Sequence, residues 1–72
     1  MKLKFLNIDY VALGDKNANI GLFPEAIMEY NLAIRKNPKD IDAYIHRADA
    51  KTDMGLYDEA IKDYDLALQH MG

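Results

Sequence analysis

Two histidines and a scatter of aspartates are the side chains best suited to chemistry in this 72-residue chain. His46 lies one helical turn after Asp42, with Asp40 close before it. An Asp/His pair at i, i+4 can hold a metal or orient a general base. Neither use is complete here, because no third ligand, nucleophile or glycine-rich oxyanion turn accompanies the pair. The spacing therefore reads as a solvated helix face, and no catalytic residue, metal site or cofactor is expected. His70 falls in the last turn of its helix, where a cationic side chain suits the dipole, and no other role is expected of it. Arg47 interrupts a stripe that is otherwise apolar. It is either a cation offered to a ligand or a partly buried Arg paired with a neighbouring helix. Asp63 is then the expected partner, since buried charges must be paired. The tyrosines offer stacking platforms for bases, but their spacing sets them on packing stripes.

Composition narrows the choice. With 50% hydrophobic and 29% charged residues the chain has the balance of a folded domain, and its length allows only one. The net charge of −3 argues against a nucleic-acid partner, whose phosphates are held by Lys and Arg. The absence of Cys excludes zinc fingers, iron–sulfur sites and thiol catalysis, and is compatible with a reducing compartment. No apolar run exceeds four residues, so no membrane span is expected. The opening MKLKFLNIDY is broken by Asn7 and Asp9 before it reaches signal-peptide length. The expected setting is cytoplasmic.

The elements that position these residues are legible as a repeat. Displaced by 34 residues, GLFPEAIMEYNLAI falls on GLYDEAIKDYDLAL. Tyr10 meets Tyr44, Asp15 meets Asp49, Tyr30 meets Tyr64, and Leu32-Ala33 meets Leu66-Ala67. Each unit reads as two helices. Ala26, Ile27, Tyr30, Ala33 and Ile34 form one apolar stripe at helical spacing. Pro24 suits a first turn, Gly21 and Gly55 suit tight corners, and Asn37-Pro38 ends a helix before Asp40 caps the next. The spacing predicts helices over 3–20, 24–37, 41–54 and 58–70. Gly14, Ala48, Ala26, Ala60, Ala33 and Ala67 are small where helices must approach, and Tyr10, Tyr30, Tyr44 and Tyr64 fill the remaining space.

On these residues the chain resembles a pair of tetratricopeptide repeats, whose 34-residue unit follows W-x2-L-G-x2-Y … A-x3-F … P. Tyr10 stands at the Trp position and Leu13-Gly14 matches directly. Ala26, Tyr30, Ala33 and Pro38 complete the first unit. Tyr44, Ala48, Ala60, Tyr64 and Ala67 match in the second. Asn17 and Lys51 depart from the first-helix aromatic, Arg47 from a Leu, and Gly72 from the closing Pro. The resemblance implies an all-α fold, a right-handed α-solenoid segment of two stacked antiparallel helix hairpins. Residues 1–6 are a lead-in extending the first helix, 7–40 the first repeat and 41–72 the second, within one domain.

The resemblance also implies a function. First helices of successive repeats line a concave face that takes an extended or helical peptide. Ile8, Val11, Asp15, Ala18 and Asn19 fall on that face in the first unit, and Asp42, Ile45, Asp49, Thr52 and Asp53 in the second. It is mildly apolar and distinctly acidic. Val11 and Asp15 occupy places where a clamp for the acidic tails of heat-shock chaperones has Lys and Asn, so that clamp is not expected. The expected function is a non-catalytic protein–protein interaction module. Its partner is a protein or peptide that is not acidic, with no nucleic acid and no membrane.

The alternative is an element whose repeats serve self-assembly alone. Stacks of this kind need about three units and polar ends. Two units leave Ile61, Tyr64, Leu68 and Met71 on an uncovered stripe, whereas Leu3, Leu6, Tyr10 and Leu13 are spaced to shield the other end. A homo-oligomer is expected, most simply a dimer, formed by end stacking or by exchange of helices across the Asn37–Asp40 corner.

Overall fold

The Asp9 carboxylate accepts from the Ala12 N–H at 3.1 Å and opens a helix over Tyr10–Asn19, α1. Asp40 does the same for Ala43 at 3.2 Å and opens α3, Ile41–Asp53. In both cases a side-chain oxygen satisfies one of the donors that a helix start leaves free. The other two helices, α2 (Phe23–Lys36) and α4 (Tyr57–Met71), begin after a glycine corner without a side-chain cap. The computed structural model describes residues 7–72. The chain is all-α, with four helices and no strand among the described residues.

The first helix begins later than its spacing predicts. Residues 7–9 are not helical, because Asp9 takes extended backbone angles and caps at Tyr10. The proposed helical lead-in therefore does not run unbroken into α1, and Leu3 and Leu6 lie outside the described residues. Every remaining boundary falls within one residue of expectation.

Both glycine corners close in one way. Gly21 and Gly55 take φ of 83° and 82°, a left-handed conformation that side chains rarely adopt. The N–H of Gly21 donates to Ala18 at 3.0 Å and that of Leu22 to Asn17 at 2.8 Å. At the second corner Gly55 donates to Thr52 at 2.9 Å and Leu56 to Lys51 at 2.8 Å. This double closure satisfies the last carbonyls of α1 and α3 and turns the chain sharply. Each corner thereby folds a helix back on its predecessor. α1 packs on α2, α3 on α4, and the two hairpins meet chiefly through α2 and α3.

The core is built from alanines and tyrosines. Gly14, Ala26, Ala33, Ala48, Ala60 and Ala67 are all buried, as the small-residue pattern requires. Ala26, Tyr30 and Ala50 make the central cluster, with Val11, Ala18, Phe23 and Ile27 against it. Gly14 is where the approach is tightest: a Cβ there would lie 2.4 Å from Tyr30 Cε1. Tyr30 and Tyr44 are buried, whereas Tyr10 and Tyr64 are half-buried. The difference follows from position: α3 covers Tyr30, and no described helix lies beyond Tyr64. No helix is long and apolar enough to cross a membrane among the described residues.

Candidate functional site

Asp15 on α1, Tyr30 on α2 and His46 on α3 converge on one carboxylate oxygen. Tyr30 Oη donates to Asp15 Oδ1 at 2.6 Å, and His46 Nδ1 lies 2.7 Å from that atom. An ionised carboxylate only accepts, so Nδ1 carries the proton of this contact. The His46 ring stands edge-on to Tyr30, with centroids 6.0 Å apart at 89°. Burial first, then the Asp15 hydrogen bond and its charge, push the Tyr30 phenol well above its ordinary value and keep it neutral.

The second repeat copies half of this device. The Tyr64 hydroxyl donates to Asp49, and that bond, with burial second, raises the Tyr64 phenol as well. The histidine is unique to the joint between the repeats, since the residue 34 positions before His46 is Ala12.

Around Asp15 and His46 the structure opens two clefts. One, of about 280 Å³, runs between α1 and α3 and brings together Asp15, Ala18, Asn19, Asp49 and Asp53. Its floor carries Tyr30, His46 and Ala50. The other, of about 370 Å³, is lined by Val11, Asp15, Asp42 and His46 together with Asp9 and Asp40. Ile8 lies farther along, in a third cleft shared with Val11 and Lys36. Lys36 Nζ is held there by Asn7 Oδ1 at 2.6 Å and the Ile8 carbonyl at 3.0 Å. Ile45 and Thr52 line none of these three clefts. Both are half-buried, and the Thr52 hydroxyl donates back to the Ala48 carbonyl at 2.9 Å.

His46 corrects one expectation. It is not a solvated partner of Asp42 but a link from α3 to α1, with its side chain 36% exposed. The signal was present as a break in repeat symmetry, a histidine opposite an alanine. His70 also does more than complement a dipole: its ring stacks on Tyr44 with centroids 5.4 Å apart.

Arg47 has the structural role. Its Nε and Nη2 donate to the two oxygens of Asp63 at 2.8 and 2.6 Å, and Nη1 donates to Asn31 at 2.8 Å. Lys51 Nζ adds a contact to Asp63 at 3.0 Å. Burial alone would raise the Asp63 carboxyl, but the hydrogen bonds and charges of Arg47 and Lys51 outweigh it and hold the group below its ordinary value. With its fork engaged on α2 and α4, the guanidinium presents little to a ligand.

An imidazole oriented by a carboxylate resembles half of a nucleophilic device. The partner is missing from the composition: the chain has no Ser or Cys, and its one Thr hydroxyl is engaged on Ala48. The two raised phenols are donors locked onto aspartates. No group of three or more His, Asp or Glu side chains among the described residues is arranged to hold a metal ion. What the site presents is carboxylates set beside small apolar side chains. Compared with protein-family models and with curated protein sequences, the chain matches none.

Proposed function

We propose that this protein is a non-catalytic interaction module of tetratricopeptide-repeat type, which binds a peptide or partner segment in the clefts between α1 and α3. The single observation that supports it most is the placement of Asp15, Asn19, Asp49 and Asp53 around one cleft floored by Tyr30, His46 and Ala50. The partner segment is cationic or amide-rich, because the carboxylates create a negative local field and acidic segments are repelled. The small side chains Ala18 and Ala50 leave room for a backbone or an aliphatic stem. A chain without cysteine loses nothing in a reducing compartment, and we take the cytoplasm as its setting.

The experiment is a calorimetric titration with matched pairs of short peptides, Lys/Arg-rich against Glu/Asp-rich. Binding of the cationic member alone, lost when Asp49 and Asp53 are both replaced by Ala, supports the reading. Preference for the acidic member overturns it.

A second reading, self-assembly, has its own observation. Ile61, Leu68 and Met71 on α4 are 57%, 63% and 61% exposed, and Tyr64 beside them is half-buried. This stripe is apolar and uncovered among the described residues.

A further inference from the structure

We infer that copies of this chain associate head to tail, the outer face of α4 in one copy receiving α1 of the next in the manner that α2 receives α3 within the chain. The inference rests on the self-assembly reading and specifies its geometry. What covers a surface of this kind is visible inside the molecule. Ile27, Tyr30 and Ile34 on α2 are the repeat equivalents of Ile61, Tyr64 and Leu68 on α4. The first set is buried or half-buried where α3 crosses α2, and Ala50 of α3 joins Tyr30 and Ala26 in the central cluster. In the second set Ile61 and Leu68 stand open to solvent.

Among the described residues the arriving surface is exposed as well. His46, Arg47 and Ala50 carry α3 into the internal joint through contacts with Asp15, Asn31 and Tyr30. Their repeat equivalents on α1 are Ala12, Leu13 and Lys16, and all three are exposed. Ala12 and Leu13 make that arriving face apolar, as Ile61 and Leu68 make the receiving one.

Lys16 supplies the complementarity. Its equivalent, Ala50, shares a cleft with Asp15 and Asn19, whose own equivalents in the second repeat are Asp49 and Asp53. The same step carried forward by one copy brings the Lys16 ammonium beside those two carboxylates. A cation on α1 thus meets the α3 anions of the receiving copy, whereas two α4 faces brought together would leave Lys16 out of the contact. The contact joins two different surfaces, so it is heterologous and closes only as a ring or grows as an open chain.

The test is sedimentation of the 72-residue chain from micromolar to millimolar concentration, with two blocked variants at exposed positions. The wild type is expected to pass beyond twice its 8.2 kDa mass as concentration rises. Lys16→Glu blocks the α1 end by setting like charge against Asp49 and Asp53, and Leu68→Asp blocks the α4 end by burying an unpaired carboxylate in an apolar contact, each weakening self-association by about tenfold or more. Circular dichroism confirms that each variant remains helical. Mixed together, the two variants have one intact α4 face and one intact α1 face, and form a dimer that neither forms alone. A closed dimer indifferent to Lys16→Glu overturns the head-to-tail geometry while leaving self-assembly standing. A monomer at every concentration overturns both, and neither result touches peptide binding between α1 and α3.

Discussion

The Tyr30 hydroxyl donates to the Asp15 carboxylate at 2.6 Å, across fifteen residues of chain, and the repeat places Tyr64 on Asp49 at the same separation. The bond ties the second helix of each hairpin to the first. In the first hairpin it also seats Asp15 to receive His46, so one oxygen joins three helices. The repeat thus carries a polar latch as well as an apolar stripe.

Tyr30→Phe should therefore destabilise the fold by about 1 kcal/mol, the net worth of an ordinary hydrogen bond. Tyr64→Phe should cost less, since water reaches its surroundings. Urea denaturation followed by helical circular dichroism measures both. The phenols also set an alkaline limit. A folded-state value raised above the unfolded one stabilises the native state fully below the unfolded value, ordinarily 10.0, and that contribution falls as pH rises past it. Stability should decline above that pH in the wild type, and more shallowly in Tyr30→Phe.

Gly14→Ala should be damaging although alanine favours helices. The added Cβ would lie 2.4 and 2.7 Å from Cε1 and Cδ1 of Tyr30, a ring only 1% exposed. Overpacking of this kind costs about 1–3 kcal/mol. Combining Gly14→Ala with Tyr30→Leu should recover part of the loss relative to the sum of the two changes. Simple additivity in the denaturation midpoints would show that the ring is not what Gly14 accommodates.

At Arg47 and Asp63 the expected outcome is a strong coupling. Asp63→Ala leaves Arg47 and Lys51 without their shared carboxylate and should cost about 3 kcal/mol, as for other broken buried pairs. Arg47→Leu, which installs the residue found at Leu13, leaves Asp63 with Lys51 as its one cationic partner and should cost less. The double change Arg47→Leu with Asp63→Leu should be milder than either single one, and a double-mutant cycle reads this directly. The pH sign is opposite to that of the tyrosines. Asp63 is held below its ordinary 3.8, so its contribution is complete above that value and is lost as pH falls through the lowered one. Wild type should lose stability below about pH 4, and the double variant should lose less.

Much of the fold is legible in the residue order because local rules and the 34-residue displacement agree. Gly21 and Gly55 occupy the corners, Asp40 caps α3, and the small residues sit where helices touch. The start of α1 is different. Leu3, Leu6, Tyr10 and Leu13 keep helical spacing, yet Asp9 offers a cap in mid-pattern, and capping at Tyr10 prevails over periodicity. In the site, the repeat resemblance sets Asp15, Ala18, Asn19, Asp49 and Asp53 on one face, and the structure brings these five around one cleft. His46 and Tyr30 escaped that logic because their roles depend on contacts between helices of different kind. The identical Asp/Tyr spacing in both repeats was the available hint of the latch. Ile45 and Thr52 share the periodicity of the cleft residues but are half-buried outside the three clefts, and the Thr52 hydroxyl is engaged on the Ala48 carbonyl, which spacing does not report.

The acidic face should bind in a salt-dependent manner. Asp49 and Asp53 are exposed and Asp15 is 40% exposed at its side chain, so a bound cationic peptide meets charges that dissolved ions also reach. Such charges are screened over about 8 Å at physiological ionic strength. Affinity for a Lys/Arg-rich peptide should fall steadily as salt is raised, mainly through a slower association rate. Asp49→Asn with Asp53→Asn removes two charges while keeping an acceptor for the Tyr64 hydroxyl, so the fold should be little affected. The double variant should bind more weakly at low salt and lose less affinity as salt increases. Equal salt slopes for wild type and variant, measured by stopped-flow and calorimetry on one peptide, would place the recognition elsewhere on the molecule.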